Sequence, residues 1–246
     1  MHWSVALILA YLCGSVPTAY LAGRLLKGID LRTIGSGNLG ATNVYRTLGP
    51  IPALVVLTLD ALKGFIPVAM LPSQLSGVYF FDYDKSIWWG LACGVAAILG
   101  HAKPIFLLWR GGGKGVATGA GVFAALAPPA LGLALLVFIT VAFWSGIVSL
   151  ASLAAALSLP ILVGLLLGAD SPVFIVSIFI AGFVVWTHRA NISRLSTGEE
   201  PRTFRRSIAE VAASTARDAA SSAAREAAGG ASRDAAASSP KRPERE

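Results

Sequence analysis

Three polar stretches hold the residues able to do chemistry in this chain. The first is Gly35-Ser36-Gly37-Asn38-Leu39-Gly40-Ala41-Thr42-Asn43-Val44-Tyr45-Arg46. Its glycines let backbone amides turn inward and come close to an anion. Arg46 adds a planar fork of donors suited to phosphate. The second is Arg110-Gly111-Gly112-Gly113-Lys114-Gly115-Val116-Ala117-Thr118. Glycine amides and a lysine where a helix begins are again anion-binding chemistry. It is not a nucleotide P-loop: that spacing needs glycine at 108, which is Leu108, and Ser or Thr at 115, which is Gly115. The third stretch is His188-Arg189-Ala190-Asn191-Ile192-Ser193-Arg194, followed by Gly198, Glu199 and Glu200. His188 and Asn191 share a face if this stretch is helical. Arg189 and Arg194 could serve only as charge anchors, but that would not call for His, Asn and Glu at these spacings.

The elements that must position these stretches are apolar. Hydrophobic residues are 55% of the 246, against roughly 45–50% in soluble domains, and charged residues only 13%. This composition predicts an all-α, polytopic membrane protein. Spans are expected over 3–26 (kinked at Pro17), 48–71, 87–108, 130–144, 147–167 and 172–187. A short apolar run over 116–127 makes about seven helices if it crosses; alone it falls short of the roughly 20 residues a hydrocarbon core requires. The N-terminal run has no basic segment before it and continues past Tyr20, so it reads as a retained span and not a cleaved signal. Cys13 and Cys93 lie in apolar runs and read as packing residues.

Charge distribution sets the orientation. The net charge is +7, yet between Lys114 and Arg189 the only formal charge is Asp170. Arg24, Lys27, Arg32, Arg46, Lys103, Arg110, Lys114 and the segment from His188 to Arg206 fall on one side. Asp82, Asp84, Lys85 and Asp170 fall on the other. The positive-inside rule puts the first set, and all three polar stretches, at the cytoplasmic face, with the N-terminus outside and the C-terminus in the cytoplasm. The basic residues therefore bear on topology and not on nucleic acid. Two further features lie in or near spans. Asp60 and Lys63, one helical turn apart, read as a mutually neutralising pair before they read as chemistry. His101 is open between helix packing and the site.

In their order along the chain, Ser36-Gly37-Asn38-x-Gly40-Ala41-Thr42-Asn43-x-x-Arg46, Gly112-Gly113-Lys114-Gly115-Val116-Ala117-Thr118 and His188-x-x-Asn191-Ile192-x-Arg194-Leu195-x-x-Gly198-x-Glu200 resemble the bacterial PlsY family of membrane glycerol-3-phosphate acyltransferases. Asp60-x-x-Lys63-Gly64 and His101-x-x-Pro104 also resemble family features. The resemblance runs from about Val5 to Arg202. Arg110 stands three glycines before Lys114, where the family commonly has a basic residue directly before Gly-Gly-Lys.

The resemblance implies an enzyme of the bacterial cytoplasmic membrane with acyl phosphate and glycerol 3-phosphate as substrates, membrane lipids around it, and neither metal nor cofactor. The glycerol 1-hydroxyl attacks the acyl-phosphate carbonyl, giving lysophosphatidic acid and phosphate, and an activated donor asks mainly for positioning and charge stabilisation. It implies Ser36, Arg46, Lys114, His188 and Asn191 around glycerol phosphate. Amides near Gly37, Asn38, Gly40 and Gly113 would serve the acyl phosphate and the oxyanion. Gly112, Thr42, Asn43, Thr118 and Arg194 complete the phosphate-binding set. His101, Asp60, Lys63 and Glu200 stand as support. The base is either His188 or the leaving phosphate. An acyl-Ser36 intermediate would need a partner base that the sequence does not offer beside Ser36.

The rival reading is a transporter for phosphorylated solutes. It would need an inverted repeat and polar groups toward the second face, and neither is visible. The acyltransferase domain is expected over 1–204. The rest, 205–246, carries an octad repeat (Ala-Arg-Asp-Ala-Ala-Ser-Ser-Ala and variants) with no large apolar residue beyond Val211. It is expected to be a mostly disordered tail, with too little apolar surface to offset ordering entropy.

Overall fold

A computed structural model describes residues 1–75 and 83–203, side chains of 83–85 excepted. Asp82, the tail and the expected boundary at 204 lie outside the described residues. Ten α-helices are described: α1 Trp3–Ser15, α2 Thr18–Lys27, α3 Ala41–Leu48, α4 Pro50–Met70, α5 Tyr83–Ala102, α6 Val116–Leu126, α7 Pro128–Ser145, α8 Val148–Leu167, α9 Pro172–Thr187 and α10 Arg189–Ser196. No strand occurs among the described residues.

The seven apolar stretches of the sequence are all helical, but they differ in reach. Five candidate spans have the length and composition to cross a membrane: Trp3–Lys27, Pro50–Gln74, Ser86–Leu107, Pro128–Ser145 and Val148–Leu167. A sixth is formed if Pro172–Thr187 and Arg189–Ser196, bent by 60° at His188, count as one. Helix α6, with 11 residues, is about 16 Å long, roughly half a hydrocarbon core.

Proline and glycine set the breaks. Pro17 supplies no N–H, and the first span splits there into α1 and α2. Gly28 ends α2 in the left-handed region, φ 67°. Pairs of helices then close on small residues, because apolar lipid gives no hydrophobic drive and backbones must touch. A Cβ on Gly14 of α1 would strike the Ala97 carbonyl of α5. One on Gly121 of α6 would strike the Ala61 carbonyl of α4.

The largest core joins α4, α5, α6, α7, α8 and α9 around Val68, Leu91, Val122, Phe123, Val163 and Val173. A smaller core of Ala19, Leu31, Leu39, Val44, Ala53 and Val56 seats the first glycine loop and α3 against α2 and α4. Outward faces are apolar too: Leu54, Phe143, Leu165 and Phe179 are each more than 60% exposed. In water such a surface would aggregate; in lipid it is satisfied.

The connections segregate to two ends. At one, the N-terminal amine donates to the Gln74 carbonyl at 2.8 Å. At the other, Leu39 N–H bonds the Gly112 carbonyl at 3.2 Å, and Thr203 N–H bonds the Gly146 carbonyl at 2.7 Å. That second end gathers all three polar stretches.

Candidate active site

The first loop holds itself in shape. Asn43, 1% exposed, accepts from the Ser36 amide at 3.2 Å and donates to the Leu31 and Ile34 carbonyls at 3.2 and 3.0 Å. Its carboxamide is thus committed to folding the loop. Three of the amides read from the sequence as anion donors are also occupied. Gly37 N–H bonds Ile34 O and Gly113 N–H bonds His101 O, while Asn38 N–H reaches Ser36 Oγ at 3.4 Å. The open donors are the amides of Gly40, Ala41 and Thr42, which make no hydrogen bond among the described residues. They are the N-terminal turn of α3, where the peptide dipole favours an anion.

The second loop is held by its neighbours. Gly112 adopts φ 155° and lies so close to the Ala102 carbonyl at the end of α5 that a Cβ would strike it, and Gly115, φ 81°, caps the start of α6. Leu39 reaches Gly112 from the first loop, and Thr187 Oγ1 donates to the Lys114 carbonyl at 3.2 Å from the end of α9. Lys114 is thereby aimed at α10, and its ammonium donates to Asn191 Oδ1.

From Asn191 the network widens. Asn191 Nδ2 donates to Glu200 Oε1 at 2.5 Å, Ser149 Oγ to the same oxygen at 2.7 Å, and Arg194 Nε to Glu200 Oε2 at 2.7 Å. Arg46 donates to Thr203 Oγ1 at 2.8 Å and Pro201 O at 3.3 Å, and feels the charges of Glu200 and Arg194. His188, 2% exposed, caps the break between α9 and α10. Its Nδ1 lies 2.8 Å from the Val184 carbonyl, which fixes the proton on Nδ1 and leaves Nε2 as an acceptor.

Electrostatics follow from this packing. Burial pushes the Lys114 ammonium down to about 8, Glu200 opposes the shift, and Arg194 and Arg46 add to it. Burial would raise the Glu200 carboxyl, but hydrogen bonds from Asn191, Ser149 and Arg194 hold it below its ordinary range. Three cations thus face one carboxylate.

The structure therefore brings Lys114, His188, Asn191, Arg194, Glu200 and Arg46 together, with the first loop bonded to the second beside them. Ser36 is exposed, and no base lies within hydrogen-bond distance of its hydroxyl among the described residues. Thr42 sits in the open turn of α3. Thr118 is buried in α6 with its hydroxyl unpartnered among the described residues, its carbonyl pressed on Gly64. Asp60, Lys63 and His101 form a separate cluster. Sequence reasoning missed Ser149 and Thr203. Their only signal was a hydroxyl close to a short turn in one case and to Glu200 in the other.

An apolar cavity of about 70 Å³ begins at Gly115 and Val116, next to Lys114, and continues past Phe138 and Leu159 to Val184.

Residues 4–198 match the family described as glycerol-3-phosphate acyltransferase. A protein of that name from Synechococcus sp. (strain CC9902) is 48% identical over 197 residues, covering 80% of this chain and 92% of the relative. Crystal structures of PlsY, an integral membrane glycerol 3-phosphate acyltransferase, superpose in two forms. The glycerol 3-phosphate form gives a TM-score of 0.71 and the lysophosphatidic acid form 0.69. Each is 39% identical and covers 81% of this chain and 94% of the solved one.

Proposed function

The chain belongs to the glycerol-3-phosphate acyltransferase family and is a multi-span membrane acyltransferase; from that premise we propose that its acyl donor is an acyl phosphate and its acceptor the 1-hydroxyl of glycerol 3-phosphate. The products are then lysophosphatidic acid and inorganic phosphate. The observation that carries this reading is the cationic excess around Asn191: Lys114, Arg194 and Arg46 against Glu200 alone, beside the open amides of Gly40 to Thr42. Two neighbouring anion seats suit two phosphates, one on each substrate.

In the proposed reaction the glycerol oxygen attacks the acyl carbonyl. A C–O bond to glycerol forms, the C–O bond to phosphate breaks, and the electron pair leaves with phosphate. Lys114, Asn191, His188, Arg46 and Ser36 seat glycerol 3-phosphate. The open turn of α3, with Gly40 and Thr42, takes the donor's phosphate. Transfer is direct, since among the described residues Ser36 has no base beside it to make it a nucleophile. The hydroxyl proton passes to the leaving phosphate, with His188 Nε2 as the alternative acceptor. The apolar cavity next to Lys114 leads the donor's chain into lipid, and the product leaves sideways by the same opening.

The orientation is proposed as N-terminus outside, in a bacterial cytoplasmic membrane, because the end that gathers Lys27, Arg32, Arg46, Arg110, Lys114 and Arg194 is the basic one. Residues 1–204 form the catalytic domain, and 205–246 have no part in turnover.

The test is phosphate release by purified protein in lipid or detergent, given palmitoyl phosphate and glycerol 3-phosphate. Wild type is run beside Lys114→Ala and His188→Ala, with acyl-CoA as a second donor. Release that requires glycerol 3-phosphate and collapses in both variants supports the reading. Turnover with acyl-CoA alone overturns the donor. Unchanged rates in the variants overturn the site.

A further inference from the structure

Outside the acyltransferase site, one cluster of charged side chains is buried where charge is costly. Asp60 is 2% exposed, Lys63 and His101 each 6%. As a neutralising pair, Asp60 and Lys63 would need only each other, one turn apart on α4, and they are 2.7 Å apart. The contacts go further. Thr18 Oγ1, the first residue of α2, donates to Asp60 Oδ1 at 2.5 Å. Lys63 Nζ donates to the Val16 carbonyl at 2.7 Å, one of the acceptors freed where Pro17 breaks the first span. His101 Nδ1, near the end of α5, lies 3.8 Å from the same Asp60 oxygen. One carboxylate oxygen thus draws on side chains from three helices.

Both glycine loops hang from these helices. Helix α2 runs directly into the first loop. His101 supports the second from behind: its carbonyl accepts the Gly113 N–H at 3.1 Å, and a Cβ on Gly113 would collide with the His101 ring. Lys114 is the next residue. The two loops then meet at Leu39 N–H and Gly112 O. Thr18, Lys63, His101, Gly112 and Gly113 line one small cleft between them.

We propose that Asp60 is a positioning residue for the acyl transfer: through Thr18 and His101 it sets the roots of both glycine loops, and so the placement of Lys114 against the open turn of α3. It touches neither substrate. The inference rests on the site described above. Misplacing a reacting group by about 1 Å can cost on the order of 10²-fold in rate, so this role predicts a loss in kcat. It predicts a smaller change in KM for glycerol 3-phosphate, because of that seat only Lys114 and Ser36 sit on the two loops, whereas Asn191, His188 and Arg46 are held on other helices around Glu200, away from Asp60.

The experiment compares full-length wild type with Asp60→Asn/Lys63→Met, which removes both charges together and leaves neither one buried alone. Thr18→Val and Thr18→Ser are run as a second pair. For the double variant the expected result is a kcat about 10- to 100-fold lower, with KM for glycerol 3-phosphate within about threefold and a melting temperature close to that of wild type. Thr18→Val, which keeps the shape but not the hydroxyl, should lose about tenfold in kcat, and Thr18→Ser should keep the wild-type rate. A folded double variant at the wild-type rate shows that the pair only neutralises itself and overturns the proposal. If the double variant does not fold, Thr18→Val at the wild-type rate overturns it equally. Lys114→Ala, measured alongside, separates the two readings: full activity there removes the site itself, whereas loss there with an active double variant removes only the role of Asp60.

Discussion

Glu200 and Asp60 are both buried carboxylates with several partners, but their surroundings differ. Glu200 uses both oxygens, Oε1 for Asn191 and Ser149 and Oε2 for Arg194. It follows the last described helix, near three cations, and balances only one. Asp60 gathers its contacts on a single oxygen inside the apolar bundle, where Lys63 closes the charge. The first arrangement leaves positive potential where a phosphate can arrive. The second leaves none and transmits only position. A buried ion pair is weak evidence for stability in itself; what separates these two is whether a cation is left over.

The largest effect should come from removing that leftover cation. Lys114→Ala is expected to lower kcat/KM for glycerol 3-phosphate by about 10²- to 10³-fold, the scale of losing one preorganised charge stabiliser. Next comes Glu200→Gln, which keeps an oxygen for Asn191 and loses the pair with Arg194. It is expected to reduce kcat about tenfold as Arg194 is released and Asn191 is held by a neutral acceptor in place of a carboxylate, without raising KM, because a negative charge near the phosphate seat is gone. A raised KM with intact kcat would place Glu200 in substrate binding and erase the contrast with Asp60.

The pH profile sharpens the same contrast. Burial lowers the Lys114 ammonium to about 8, so the cation is present below that pH and lost above it. Activity at low glycerol 3-phosphate should therefore fall as pH rises through about 8. Glu200 opposes that shift. Removing its charge should move the alkaline limb to lower pH, and Asp60→Asn/Lys63→Met should leave the limb in place while lowering its height. An alkaline limb unmoved in Glu200→Gln would mean that a different group sets it.

Much of this was legible in the sequence. Span positions followed from long apolar runs, and Pro17 marked the break between α1 and α2. The three polar stretches named Lys114, His188, Asn191 and Arg194, because cations and glycines in so apolar a chain have few other reasons to occur. The internal wiring was not legible. Asn43 read as a ligand residue, but its buried carboxamide folds the loop, since only a closed contact list separates a side chain facing substrate from one facing its own backbone. Ser149 gave no signal beyond its closeness to a short turn, because one hydroxyl in an apolar helix commonly bonds its own backbone; its partner, Glu200, lies 51 positions away. Asp60 and Lys63 were visible as a pair, but Thr18 and His101 join them only through packing of three helices.

The smallest effect is expected from the C-terminal tail. Residues matching the family end at 198, and the network around Glu200 closes at Thr203. Beyond Val211 the chain has alanine, serine, glycine and alternating charges, with no bulky apolar anchor for a bilayer or a groove. Its arginines are nearly matched by acids within each octad, so it adds little field at the site, and salt screens what it adds within about 10 Å. Deletion after Arg206 should keep kcat and KM within about twofold of wild type in the phosphate-release assay, since every residue of the Lys114–Asn191–Glu200 and Asp60 networks lies at or before Thr203. Complete loss of turnover in a folded truncation would mean that the catalytic domain does not end near residue 204.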